Sequence, residues 1–460
     1  MSVRLRFAIL LAKSAARVSR GLRVGGGTTL PGRLARRVYP EIVGTLASQL
    51  PRGTVVVSGT NGKTTTARLV AEMVKAAGLR AVHNRAGANL PAGIASALVE
   101  ATDLRGRVRG DLGVFEVDEA AFSLLLPVLR PRVVVLLNLF RDQLDRYGEV
   151  EAVAHRWRAA LQGLPEAIVC FNADDPQVAE VARDLPLSTV PFGVEDRGCG
   201  LEALEDAADV RYCYRCGIPY TYEVVYLSHA GRYRCERCGL RRPDPTVHAE
   251  AIRVDGTRGA EANLVWPGGG LRVRIPLPGL YNVYNALAAT AAALSLGIPG
   301  GAIERALEGF RPAFGRAERL RWRGVELEIL LAKNPAGLNA LLRVVDRHPP
   351  AALLVAIHDQ TADGRDVSWL WDVDFERLQD LPKRIVASGL RAADLALRLR
   401  YAGIPEERLL VEPDLARALR AAAQDVPEGG TLLVLPTYTA MLELRRILQR
   451  EGVASGFWEA

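Results

Sequence analysis

The run Val55-Val56-Val57-Ser58-Gly59-Thr60-Asn61-Gly62-Lys63-Thr64-Thr65-Thr66 reads as an apolar strand, a glycine turn and a helix start. Backbone N–H groups gathered at such a turn, with a helix dipole behind them, make a site for anionic phosphate. Lys63 supplies a point charge suited to outer phosphates, and Thr64 a hydroxyl suited to magnesium. Gly59, Thr60, Asn61, Gly62, Lys63, Thr64 and Thr65 therefore form a candidate ATP site. A general P-loop has a glycine where Val57 stands, so the loop is a shortened form with Gly59 as its first glycine. Magnesium takes oxygen ligands, and Glu116 and Asp118 close the apolar run Val114-Phe115-Glu116-Val117-Asp118-Glu119. Strand alternation puts both acids on one face.

A second group is sulfur-based. Cys213-x-x-Cys216 and Cys235-x-x-Cys238 have the paired spacing of a four-thiolate structural zinc site, which leaves no open position for catalysis. Arg211, Arg215, Arg234, Arg237, Arg241 and Arg242 crowd around them, either offsetting thiolate charge or meeting an anionic headgroup or pyrophosphate. Tyr212, Tyr214, Tyr220, Tyr222, Tyr226 and Tyr233 interleave with these arginines. That pattern keeps an ATP-dependent nucleic-acid binder as a competing reading, although nothing elsewhere reads as helicase or nuclease chemistry.

The elements that must position these residues follow from periodicity. Short β-branched runs at Thr54 to Ser58, Val133 to Leu137 and Ala167 to Phe171 alternate with helical segments, which predicts a parallel sheet flanked by helices. The region from Glu202 to Asp244 breaks the rhythm as an insertion. An Ala-rich helix is expected from Asn282 to Leu296, and a linker from Gly309 to Arg316. A second α/β unit has expected strands at Glu326 to Leu331, Ala352 to Ile357, Arg384 to Ala387 and Thr431 to Leu435, with a last helix from about Ala440. The expected division is a basic segment 1–45 packed on a central domain 46–310, an insertion 205–244 within it, and a Rossmann-like α/β domain 315–460.

With 460 residues, 49% of them hydrophobic, the chain has material for several cores, which excludes a disulfide-stapled miniprotein or a disordered tail. The formal charge of +7 comes from 59 Lys and Arg against 52 Asp and Glu, interspersed, which does not imply a general nucleic-acid binder. The apolar part of MSVRLRFAILLAKSAARVSR is too short for a secretory signal, and no apolar run has transmembrane length. A cytoplasmic protein is expected, its basic start able to touch the inner membrane face.

The loop GTNGKTTT resembles the ATP loop of the Mur ligase family, whose members activate a carboxylate as an acyl phosphate and let an amine displace phosphate. Asn138 to Asp145 resembles the segment after the family's next strand, and Asn172-Ala173-Asp174-Asp175-Pro176 its Asn-x-Asp-Asp turn. Gly279-Leu280-Tyr281-Asn282-Val283-Tyr284-Asn285 resembles its Gly-x-His-Asn-x-x-Asn motif, with Tyr281 replacing histidine. The resemblance implies a P-loop ATPase domain, adenine contact at Asn282, phosphate and magnesium at Lys63 and Thr64, and a metal at Glu116. Amino-acid-adding members carry a carbamylated lysine where Glu151 to Pro165 holds none, only His155, Arg156 and Arg158. A Mur-type ligase joining an amino acid or peptide to a carboxylate is thus the alternative.

The GGGTTLPGRLARRV block, the cysteine insertion, and the segments Lys333 to Asn339 and Asp359 to Trp369 are similar to the branch of that family formed by the synthetase subunits of lipid II isoglutaminyl synthase. That similarity implies amidation of the D-glutamate of the lipid II stem with ammonia from a separate glutaminase, GatD, in a heterodimer. It further implies that Asp366 completes a Cys-His-Asp arrangement in the partner, that Asp363 contacts the ATP ribose, and that the insertion is a zinc ribbon. The chain itself has only Cys170 and Cys199 outside the paired cysteines, neither in a nucleophile motif.

Overall fold

The computed structural model describes residues 3–22, 29–84, 88–141, 150–164, 166–205, 208–311, 316–381 and 384–453. Helices α1 (Val3–Leu22), α2 (Leu30–Val38) and α3 (Ile42–Ala47) precede the first strand. Leu5, Ala8, Ile9 and Ala12 recur at helical spacing on the inner face of α1 and are fully covered. Burial of a side chain such as Leu5 or Ile9 stabilises by roughly 1.5–3 kcal/mol, enough to hold α1 on the body of the protein. α2 lies on α5 (Pro91–Glu100) so closely that a Cβ at Gly32 would fall 1.8 Å from the Ala92 carbonyl oxygen. Among the described residues no helix is long and apolar enough to cross a membrane.

The large sheet is built from β1 (Thr54–Ser58), β2 (Ala81–His83), β3 (Leu112–Glu116), β4 (Val133–Leu136), β5 (Ile168–Asn172) and β6 (Ser188–Val194). A separate hairpin, β7 (Thr221–Leu227) and β8 (Ala230–Arg234), carries the cysteine region, after which β9 (Val247–Asp255), β10 (Gly259–Trp266) and β11 (Gly269–Ile275) rejoin the sheet. The strand order is β11-β10-β9-β6-β5-β4-β1-β3-β2, parallel from β2 to β9 and antiparallel beyond. Every residue of β1, β3 and β4 is buried, as continuous apolar strands between two helical layers must be. One layer holds α4 (Lys63–Ala76) against the Ala-rich helix Leu280–Ser295. Chain order turns back at β1, which β3 and β4 flank on its two sides. Such a reversal opens a crevice at the carboxyl ends of the strands, where the glycine loop lies.

The second sheet runs β12-β13-β17-β14-β15-β16, from β12 (Arg316–Trp322), β13 (Val325–Leu330), β14 (Ala352–Ala356), β15 (Ile385–Ser388), β16 (Leu409–Val411) and β17 (Thr431–Pro436). All its pairings are parallel except the β12–β13 hairpin. The expected strands lie within a residue or two of those found, and the last helix starts at Tyr438 rather than Ala440. Linker residues 312–315 lie outside the described residues.

Candidate functional site

Gly59 (φ +147°) and Gly62 (φ +87°) hold backbone conformations that disfavour a side chain. A Cβ on Gly62 would sit 2.0 Å from Asn285 Oδ1, and one on Gly59 2.7 Å from Leu137 Cβ. Only glycine lets the loop thread between the helix Leu280–Ser295 and the end of β4. Asn138 clamps the outer edge, accepting from the Asn61 N–H at 2.8 Å and donating to the Asn61 carbonyl at 3.1 Å. Thr60 Oγ1 donates to the Phe140 carbonyl and accepts the Phe140 N–H at 3.0 Å. Asp142, Gln143, Leu144 and Asp145 of that same segment lie outside the described residues. No side chain caps the start of α4, the arrangement that suits a phosphate at a helix N-terminus.

Lys63 is buried, and its ammonium donates to the Gly59 and Thr60 carbonyls and to Glu119 Oε2 at 2.9 Å. Thr64 Oγ1 donates to Glu116 Oε2 at 2.7 Å, while Asn89 Nδ2 donates to Glu116 Oε1 at 3.3 Å. Glu116 is only 4% exposed, and among the described residues no basic side chain ion-pairs with it. A buried hydroxyl–carboxylate pair lacking a counter-charge is an oxygen donor set that fits a hard divalent cation. The strand expectation needs correction for Asp118. β3 ends at Glu116, and Asp118 lies in the following turn, its carboxylate accepting the Ala120 N–H at 3.1 Å. Strand alternation no longer applies there, and the second acid that meets the loop beside Glu116 is Glu119, which sequence reasoning missed although it stands in the same Glu-Val-Asp-Glu run.

Asn282 is buried, donating to the Pro278 carbonyl at 2.7 Å and accepting from Asn285 at 2.9 Å. Thr66 Oγ1 donates to Asn285 Oδ1 at 3.3 Å, so the two asparagines brace α4. From the second sheet, Asn334 reaches the loop: its amide and that of Asn61 exchange hydrogen bonds at 3.0 and 3.2 Å. Asn334 also caps the helix Pro335–Arg347 through the Gly337 N–H. Neither asparagine was paired from sequence, because their contact joins residues 273 positions apart.

Asp363 and Asp366 lie in the loop after β14. Asp363 is buried and accepts from the backbone N–H and hydroxyl of Thr439, fixing the first turn of the helix Tyr438–Arg450. Asp359, Gln360, Thr361, Arg365 and Thr439 line an open cavity of about 620 Å³ beside it. Asp366 is exposed, accepts the Ser368 N–H at 2.8 Å, and is held by it below the usual carboxylate range. Trp371, exposed at 51%, stands in the short helix that follows and meets the Tyr401 ring edge-on at 5.4 Å.

The four paired cysteines converge. Their sulfurs all lie within 4.8 Å of one another, with Cys213 and Cys238 at 3.5 Å and Cys216 and Cys235 at 3.3 Å. Four thiolates on one tetrahedral zinc at about 2.3 Å stand about 3.8 Å apart, so the donor set fits that ion. The two turns are near duplicates. In each, the first cysteine's carbonyl accepts from a following glycine of positive φ, Gly217 or Gly239, and its N–H donates to Ile218 or Leu240. The repeated Cys-x-x-Cys-Gly was the signal for this in the sequence.

Arg242 does not serve the thiolates. It is buried against Asp174 and Glu195, and Asp174 also accepts from Tyr284 and the Val194 N–H. Tyr220, Tyr226 and Tyr233 are buried, Tyr220 and Tyr233 pack ring to ring at 5.2 Å, and the Tyr214 hydroxyl donates to Gln177. Tyr214, Tyr220, Tyr222 and Tyr233 join the core on one face of the large sheet and Tyr226 the core on the other, while Tyr212 stays 60% exposed, so the six do not form one stacking platform for bases. Cys170 lies fully buried in β5, its thiol pushed up to about 12 by burial, and burial and Asp196 raise Cys199 to about 11. Neither is a thiolate nucleophile.

Residues 331–441 match the MurT ligase C-terminal family, and residues 57–214 the Mur ligase middle domain. The chain is 33% identical to the lipid II isoglutaminyl synthase (glutamine-hydrolyzing) subunit MurT of Streptococcus pneumoniae, over 93% of both chains. It is 32% identical to the subunit of the same name from Staphylococcus aureus, over 96% of this chain and 97% of that one. A pseudomurein peptide ligase type C from Methanothermus fervidus superposes with a TM-score of 0.66 at 23% identity, covering 88% of this chain and 80% of that one. The likeness in fold extends to the parallel sheets on which the glycine loop and the Asp363 loop sit.

Proposed function

The chain belongs to the MurT family of Mur-type ligases, and from that membership we propose that it is the synthetase subunit of a two-protein lipid II isoglutaminyl synthase. It is an ATP-dependent ligase of peptidoglycan biosynthesis. In the proposed reaction a carboxylate oxygen of the stem peptide, on the α-carbon of D-glutamate, bonds to the γ-phosphorus of ATP as ADP leaves. Ammonia then attacks the acyl carbon, and inorganic phosphate departs with the C–O electron pair and the proton lost from nitrogen, leaving a neutral amide. The observation that carries this reading is the buried pairing of Lys63 with Glu119 and of Thr64 with Glu116 at the mouth of the glycine loop.

Gly59 to Thr65 would hold the triphosphate, and Thr64 and Glu116 a magnesium ion. The ion supplies charge neutralisation at the transferred phosphoryl group. Lys63 already rests in a nest of carbonyls and one carboxylate, so a phosphate oxygen competes with Glu119 for its charge. Asn282 and Asn285 hold α4 in place, and Asn282 is the assigned adenine neighbour. Asn334 brings the second α/β unit onto the loop, and Asp363 is assigned to the ribose. Cys213, Cys216, Cys235 and Cys238 would bind structural zinc, making the insertion a zinc ribbon.

The nitrogen source is assigned to a GatD-like glutaminase. Support comes from Cys170 and Cys199, the two cysteines outside the paired set, whose thiols are held protonated by burial and, for Cys199, also by Asp196, so neither offers a thiolate nucleophile. Asp366, exposed and held below the usual carboxylate range by the Ser368 N–H, is the residue offered to that partner's active site. The functional regions are assigned as 1–45, 46–310 with the insertion 205–244, and 315–460. Because the substrate is lipid-linked, the place of action is assigned to the cytoplasmic face of the membrane.

The test is mass spectrometry of lipid II incubated with the purified chain, magnesium-ATP and ammonium chloride, without a partner. Conversion of a carboxylate to an amide supports the reading. No conversion, with ATP consumed only when an amino acid is supplied, would replace it by an amino-acid ligase.

A further inference from the structure

Of the 59 Lys and Arg in the chain, nine fall before Glu41, a stretch that holds none of the 52 Asp and Glu. The remainder of the protein is therefore slightly acidic, and the whole positive excess sits in the first 40 residues. α1 packs its inner face, Leu5, Ala8, Ile9 and Ala12, against the body of the protein. Its outer face is also apolar. Val3 is 85% exposed, Phe7 59%, Leu10 46% and Val18 59%. The spacing of these four brings them onto one stripe of the helix, opposite the buried one.

Arg6 and Arg17, both exposed, edge that stripe on one side, and Arg4 edges it on the other, its Nε donating to the Val38 carbonyl at 2.6 Å. α2 packs against α1 and adds Arg33, Arg36 and Arg37, with Leu30 exposed at 47%. We propose that the outer face of α1, flanked by the arginines of α1 and α2, is a docking surface for a bilayer rich in anionic phospholipid. Water is a poor neighbour for the stripe, and a second copy of this face would bring arginine against arginine. An anionic bilayer answers both demands: Phe7 and Leu10 enter the acyl boundary while the guanidiniums bond headgroup phosphates. The helix lies in the interface plane, since it is not apolar enough to cross.

This docking rests on the reading of a lipid-linked substrate, and it would hold the ligase at the surface where that substrate resides. The test is co-sedimentation of the full chain with vesicles of phosphatidylcholine, with and without phosphatidylglycerol. Binding is expected only with phosphatidylglycerol, and it weakens as salt rises from about 0.1 M to about 1 M. The double variant Phe7→Asp/Leu10→Asp, and separately Arg6→Glu/Arg17→Glu, should each lower vesicle binding on the order of tenfold or more. Thermal unfolding should stay unchanged, because all four side chains are exposed. Equal binding by the variants, indifference to phosphatidylglycerol, or a dimer that Phe7→Asp/Leu10→Asp dissolves would overturn the proposal. Amidation of a lipid II analogue with a short, water-soluble prenyl chain needs no bilayer. Its failure would count against the ligase reading and leave vesicle binding as an independent result.

Discussion

Lys63 has a double attachment, to two loop carbonyls and to Glu119. In the proposed site Lys63→Ala removes the charge meant for the phosphates, and amidation with ammonium should fall by a factor on the order of a hundred or more, measured as amide formed per enzyme. Normal turnover in that variant would contradict the assignment of the loop. Asp366→Asn should separate the two proposed sites: glutamine-supported amidation should collapse while ammonium-supported amidation persists. Equal loss with both nitrogen sources would instead put Asp366 in the synthetase site. A third outcome concerns the two lone thiols. Raised pKa values keep Cys170 and Cys199 protonated at neutral pH, so alkylation followed by peptide mass spectrometry should find them unmodified. Cys199 should begin to react only as pH climbs toward about 11, and ready labelling near neutrality would reverse the argument for an external glutaminase.

Single elements depend on contacts that leave no room. Gly62→Ala would force a Cβ to within 2.0 Å of Asn285 Oδ1 at a residue of φ +87°. Strain of about 1–3 kcal/mol is expected there, together with loss of nucleotide binding, readable by thermal unfolding with and without ATP. The hairpin that carries the cysteines depends on two matched turns that bring four sulfurs together, in addition to the buried rings of Tyr220, Tyr226 and Tyr233. Removal of zinc by a strong chelator should lower the melting temperature and release one metal ion per chain; no metal and no shift would leave the cluster as reduced thiols.

At the scale of the whole molecule, the two sheets are tied across their boundary. Arg343 pairs with Glu205, whose other oxygen accepts the Ser228 N–H at 2.8 Å, and Glu328 accepts from Thr257. Arg343→Ala strands a carboxylate whose side chain is only 3% exposed, and a loss of about 2–4 kcal/mol in denaturant unfolding is expected. Adding Glu205→Gln should recover much of that loss, and no recovery would mean that the ion pair is not its source. The parallel sheets, the glycine loop and the clustered cysteines were legible in the chain, because β-branched runs, left-handed glycines and Cys-x-x-Cys spacing each encode a local geometry. The strands found near Glu326, Ala352 and Thr431 belong to the same class of signal. Other features were decided only by tertiary structure: Glu119 meeting Lys63, Asp118 turning to the Ala120 N–H, the Asn61–Asn334 exchange, Arg242 drawn to Asp174, and the outward stripe of α1. Each depends on which distant surface lies opposite a side chain. Sequence periodicity describes one element's own faces and carries no record of what packs against them.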